Sequence, residues 1–243
     1  MDTLVHPDVK KSAEPSPLDE PGLPRRGSAA AWQRGVVDVV MPKRAIQMEL
    51  VSGRGHYDRV LAAVREAKVS VWIGSANVKE LMVEDGRAAP GRRRNMRRSN
   101  YSSILKLLDE MPGVELRLLH AEIPSRPFRA ELAQHPRLLQ GGLELRRCPR
   151  VHLKVVIVDG EVMYLGSANW TGAGLGAKGS GRRNFELGFV TDDGPLLDQI
   201  QALYERIWSG GECGECKLRE ECPGPLDDLV QLTPRKKPRK RKV

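Results

Sequence analysis

A histidine and a lysine two positions apart in an apolar run lie on one side of a strand, because side chains alternate across it. His152 and Lys154 have this spacing within VHLKVVIVDGEVMYLGSANW, residues 151–170. A lysine in a packed strand costs desolvation energy unless an anion meets it. A neutral imidazole beside a fixed ammonium suits nucleophilic attack on a phosphate ester: the ammonium holds the phosphoryl oxygens and the ring nitrogen attacks phosphorus. Ser167 and Asn169 come back to the same end of the sheet, and both can donate hydrogen bonds to phosphoryl oxygens. Glu186, in NFELGFV, is expected to hydrogen-bond the far nitrogen of the ring, fixing its tautomer and stabilising the imidazolium.

The same stretch fits H-x-K-x4-D-x6-G-S-x-N without a gap and resembles the HKD motif of the phospholipase D superfamily, with a likeness over roughly residues 50–210. The resemblance implies an enzyme that cleaves phosphodiesters through a covalent phosphohistidine, with no cofactor or metal for catalysis. It implies His152 as nucleophile, Lys154 and Asn169 on the non-bridging oxygens, Ser167 lining the phosphate pocket and Glu186 orienting the histidine. Asp159, at a hairpin turn, takes a structural or supporting role. An alkoxide leaves poorly without a proton, so the mechanism needs a second histidine. The other four, His6, His56, His120 and His135, have no lysine two places on. Members of this family with a single motif are dimers, and symmetric dimers are the commonest oligomers. The expectation is a homodimer in which the partner's His152 is the general acid. A heteromeric partner carrying its own motif is the alternative.

These residues need elements to position them. Residues 56–67 have helical apolar spacing and lead into VSVWIGSANV, read as a buried strand at 69–76. A helix over 101–111, capped by Ser99 or Asn100, a strand at 114–120, a helix near 128–139 and a strand at 143–148 follow. Strands at 152–158 and 162–166 are joined by Asp159-Gly160, a strong hairpin signal. A glycine-rich loop, a strand at 185–190 and a helix at 195–208 complete the pattern. Alternating helices and strands predict an α/β sandwich with a mixed central β-sheet flanked by helices. GSAN occurs at 74–77 and again at 166–169, but the first copy lacks an upstream histidine and lysine, so small residues at a strand end explain it.

The chain has 243 residues and a formal charge of +9. Residues 235–242 hold seven positive charges and residues 87–98 six, so the rest is net acidic. Arg92, Arg93, Arg94, Arg97 and Arg98 in one run, and Lys236, Lys237 and Arg239 in the other, are candidate contacts to nucleic acid or an anionic membrane surface. The basic tail also resembles a nuclear import signal. No apolar run is long enough to span a bilayer and no secretory leader is evident, which points to the cytoplasm. Cys213, Cys216 and Cys222, with Cys148, suit a structural zinc site or, second to it, an iron–sulfur site. Four parts are expected: a disordered segment at 1–45, a catalytic domain at 46–210, a cysteine-rich segment at 211–232 and a basic tail at 233–243. Three substrate readings stay open: a nucleic-acid phosphodiesterase of endonuclease type, a phospholipase D or phosphatidyltransferase, and a non-catalytic nucleic-acid-binding protein. The intact motif argues against the third.

Overall fold

A computed structural model describes residues 37–84, 101–222 and 224–227. Both basic runs, from Arg87 to Arg98 and from Arg235 to Lys242, lie outside the described residues. The chain divides into two units, Met1–Asp38 and Val39–Val243, and only residues 37 and 38 of the first are described. Every regular element among the described residues lies in the second unit.

Its centre is a seven-stranded mixed sheet of order β1-β9-β8-β7-β2-β5-β6. The strands are β1 (Glu49–Ser52), β2 (Ser70–Ser75), β5 (Glu115–His120), β6 (Glu144–Arg147), β7 (Lys154–Val158), β8 (Val162–Gly166) and β9 (Leu187–Thr191). The pairs β2–β5 and β5–β6 are parallel; the others are antiparallel. The expected mixed sheet flanked by helices is therefore present. On one face α1 (Arg54–Glu66), α2 (Ile104–Asp109) and α3 (Arg126–Leu132) bury Leu61, Val64, Leu105 and Phe128 against Val71, Ile73, Leu118 and Val156. On the other, α4 (Gly194–Trp208) buries Leu197, Tyr204 and Trp208 against Leu119, Val155, Ile157 and Met163. Alternation along β7 sends Val155 and Ile157 to one core and Val156 and Val158 to the other. Each such side chain contributes about 1.5–3 kcal/mol on burial.

Several boundaries differ from the sequence reading. The expected helix at 101–111 starts later, because Tyr101–Ser103 forms β4 and pairs with β3 (Met82–Glu84). Its cap is Ser103, whose Oγ accepts from the Leu105 N–H at 3.0 Å. The helix near 128–139 stops at Leu132. Pro136 disfavours helical backbone at the residue before it, which ends the run. Strand β9 begins at Leu187, leaving Glu186 in the connection before it, and β7 begins at Lys154, leaving His152 on the approach.

Asp159 sits at the β7–β8 turn with φ of 55°. Its carboxylate accepts from the backbone N–H groups of Lys68, Val69 and Ser70 at 2.9, 2.8 and 2.8 Å. It thus ties the hairpin to the start of β2, the structural role expected of it. Burial alone would push this carboxyl up, but the three N–H groups and the Lys68 charge hold it below the usual range. A depressed folded-state value gives stability that is present above the unfolded value and lost as pH falls through the folded one. Asn tolerates the left-handed backbone, so Asp159→Asn isolates the charge. It is expected to cost about 1–2 kcal/mol, lowering Tm by several degrees at pH 7. Thermal melts should show the gap to wild type closing as pH falls through that depressed value, below which both side chains are neutral.

Candidate active site

The central strands β7 and β8 and the segments that flank them place His152, Lys154, Ser167 and Asn169 at one end of the strands. Lys154 opens β7, and its ammonium lies 3.1 Å from His152 Nδ1 and donates to the His152 carbonyl at 2.9 Å. The imidazole itself is exposed. With the ammonium charged, Nδ1 is an acceptor and the ring proton is on Nε2. Burial pulls the Lys154 ammonium below its ordinary range, opposed by the nearby Glu186 charge.

Glu186 does not take the partner expected from sequence. One carboxylate oxygen accepts from Ser167 Oγ and the other from Asn184 Nδ2 at 3.1 Å. No hydrogen bond joins it to His152 among the described residues. Strand β9 starts at Leu187, two residues later than expected, and Glu186 in the connection before it meets Ser167, whose own N–H is held by the Leu187 carbonyl at 2.9 Å. Glu186 therefore orients the serine and lends its charge to Lys154.

Asn169 is positioned by residues the sequence reading set aside. Its Oδ1 accepts from the Asn77 N–H at 3.2 Å, which fixes the amide and leaves Nδ2 as the donor for a ligand. Ser75 donates to the Asn77 carbonyl at 2.7 Å and accepts from the Trp170 N–H at 2.9 Å. Val78 and Trp170 form a parallel bridge, and the Lys79 N–H donates to the Trp170 carbonyl at 3.0 Å. The two GSAN segments are thus stitched side by side, the first serving as the frame for the second. The signal in the sequence was the duplication itself.

Below the loop, Tyr164 is buried and its hydroxyl accepts from the Ala168 N–H at 3.3 Å; burial pushes its pKa up to about 12. Gly166 pairs with Gly188 across β8–β9, and a Cβ on Gly166 would lie 2.6 Å from the Leu187 carbonyl oxygen. The strand end that launches Ser167 therefore accepts only glycine at this position.

The motif residues are gathered at one end of the central strands, and residues 97–208 match the family described as "Cardiolipin synthase, PLD-like domain". This segment is a phospholipase D-like domain. The chain is similar to cardiolipin synthase 1 of Staphylococcus epidermidis, 24% identical over 147 residues, which are 49% of this chain and 30% of that relative. The chain thus spans under a third of that protein's length. Among solved structures, NucT from Helicobacter pylori is 14% identical with a TM-score of 0.46, the match covering 67% of this chain and 95% of that one. Nuc from Salmonella typhimurium, titled a phospholipase D family member, is 22% identical with a TM-score of 0.43, over 66% and 95% of the two chains. Phosphatidylserine synthase of Haemophilus influenzae is 14% identical with a TM-score of 0.46, over 64% and 35%.

Cys148 follows β6 and packs, with Cys213, against the core under α4, and its carbonyl accepts from the Val151 N–H at 3.0 Å. Burial pushes the Cys148 thiol up, and the charges of Cys213, Cys222 and Cys216 add to the shift. Among the described residues no group of three or more His, Cys, Asp or Glu side chains is arranged to hold a metal ion. Nor is any described helix long and apolar enough to cross a membrane.

Proposed function

We propose that this chain is a phosphodiesterase that cleaves nucleic acid through a phosphohistidine, working as a homodimer. The observation that carries the reading is the Lys154 ammonium at 3.1 Å from the His152 ring, with Ser167 and Asn169 held at the same end of the central strands. An incoming phosphate competes for the ammonium. Once Lys154 turns to the phosphoryl oxygens, Nδ1 takes the ring proton and Nε2 is free to attack phosphorus. The P–N bond forms as the P–O bond to the leaving group breaks, and the partner's His152, in its protonated form, supplies the proton the departing oxygen needs. Lys154, Asn169 Nδ2 and Ser167 hold the negative charge that builds on the phosphoryl oxygens. Water then cleaves the P–N bond, the partner's imidazole taking its proton, and His152 is released.

Nucleic acid is favoured by the two basic runs, which offer a polyanion a sequence-independent grip. A second reading, phosphatidyl transfer between lipid head groups, is favoured by the family description and by the cardiolipin synthase relative. One comparison separates them. The purified chain is incubated in EDTA with plasmid or single-stranded DNA, and in parallel with phosphatidylglycerol or phosphatidylcholine vesicles. Nicking or shortening of DNA with the lipids untouched is the expected result. Head-group release or exchange with intact DNA would transfer the reading to the lipid class, and binding of DNA without any cleavage would make the protein a platform.

A further inference from the structure

A cavity of about 390 Å³ opens beside Asn169, lined by Asn77, Lys79, Ser125, Lys178 and Asn184 among others. Its volume is in the range that holds a small ligand. The scissile phosphate belongs with His152 and Lys154, so the cavity is room for something attached to that phosphate, with Asn169 shared between the two. Its wall is woven from backbone bonds. The N–H groups of Lys79, Lys178, Asn184 and Ser125 donate to the carbonyls of Trp170, Gly172, Ala173 and Val78 at 3.0, 3.0, 3.1 and 3.0 Å.

The charges on this wall are not balanced by partners. The amides are committed, Asn77 Nδ2 to Glu122 at 2.8 Å and Asn184 Nδ2 to Glu186 at 3.1 Å. Lys79 and Lys178 are exposed, and among the described residues neither ammonium is in an ion pair with a carboxylate. The one carboxyl on the wall, Glu80, is bonded through Oε1 to Ser103 Oγ at 2.6 Å. Burial raises its pKa to about 7, with Ser103 and His135 opposing the shift and Glu131 adding to it, so at neutral pH it carries only part of a charge against the two lysines. Two unpaired ammonium groups in a concave wall concentrate anions there.

We propose that this cavity is a subsite for the phosphate next to the scissile one in a polynucleotide, held by Lys79 and Lys178. The proposal rests on the nucleic-acid reading and deepens it. A polynucleotide carries a further phosphate on either side of the bond being cut, whereas phosphatidylglycerol and phosphatidylcholine, the lipids of the vesicle assay, carry one phosphodiester each.

The test uses the full chain and three thymidine dinucleotides: one with the linking phosphate alone, one with an added 5′ phosphate and one with an added 3′ phosphate. Bis(p-nitrophenyl) phosphate serves as a substrate with no flanking group. At least one added phosphate is expected to raise kcat/KM about tenfold through KM, as one charge-assisted contact would. Lys79→Ala/Lys178→Ala should erase that gain and leave the unphosphorylated dinucleotide and the small diester within twofold. On a single-stranded oligomer the same variant should flatten the salt dependence of log binding by about 1.4, two contacts at about 0.7 each. Lys79→Arg/Lys178→Arg should restore both. If wild type cleaves DNA but gains nothing from either added phosphate, or if the alanine variant keeps the gain, the subsite is overturned and the nucleic-acid reading stands. If wild type turns over the small diester but no nucleic acid, the reading falls and takes the subsite with it.

Discussion

His152→Ala is expected to lower turnover of every substrate by about 10⁴-fold or more, because the proposed mechanism forms its P–N bond on this imidazole. The imidazole is exposed, so the variant should keep the wild-type melting temperature, and the loss will be chemical. Acid sensitivity supplies the positive signature. A phosphoryl-imidazole is labile in acid and survives alkali, so wild type quenched in base during turnover of a ³²P-labelled diester should carry label that His152→Ala does not. Lys154→Ala should fall less far, by about 10²–10³-fold, since it removes one source of charge stabilisation while Asn169 and Ser167 remain. Label retained by the alanine variant, or turnover within tenfold of wild type, would remove His152 from the role of nucleophile.

The parts of the site that were legible in the sequence are those whose chemistry demands fixed residue types. His152, Lys154, Asp159, Ser167 and Asn169 stand at set intervals along two strands, the segments that flank them and a two-residue turn, and β7, β8 and the Asp159 turn fit that spacing. The alternating apolar residues of β7 and the helical spacing of α1 and α4 were legible for the same reason, since both faces of the sheet are covered. Strand β1 was not legible: only Val51 of its four residues is buried, so the edge strand has no apolar alternation to betray it. Its place is decided by pairing with β9, a contact far away in sequence.

Two features of the site escaped for related reasons. Ser75 and Asn77 act through a backbone N–H and a hydroxyl turned toward the second GSAN segment, and such a role has no side-chain signature apart from the repeat. Glu186 is hydrogen-bonded to Ser167 and Asn184 in place of the histidine expected. It precedes β9, whose register is settled by Gly166 and Gly188, which pair where a Cβ has no room. Cys148 and Cys213 pack on the same core, and among the described residues the four cysteines form no group arranged to hold a metal ion.

Subunit mixing tests the shared site directly. If the nucleophile and the general acid are both His152, one from each subunit, a dimer with a single His152→Ala subunit has lost one of two obligatory groups. It should be almost as inactive as the double variant, although half of its histidines are intact. Free exchange of equal amounts of wild type and His152→Ala then leaves about one quarter of the activity, the share of wild-type pairs in a random mixture. Independent sites would leave about one half under the same random pairing. Differently tagged subunits let the mixed dimer be purified and assayed alone, where the contrast widens to nearly zero against about one half. Retention of half the activity in that pure mixed dimer, or full activity in a strictly monomeric wild type, would leave the general acid to be found elsewhere on this chain or on a different partner.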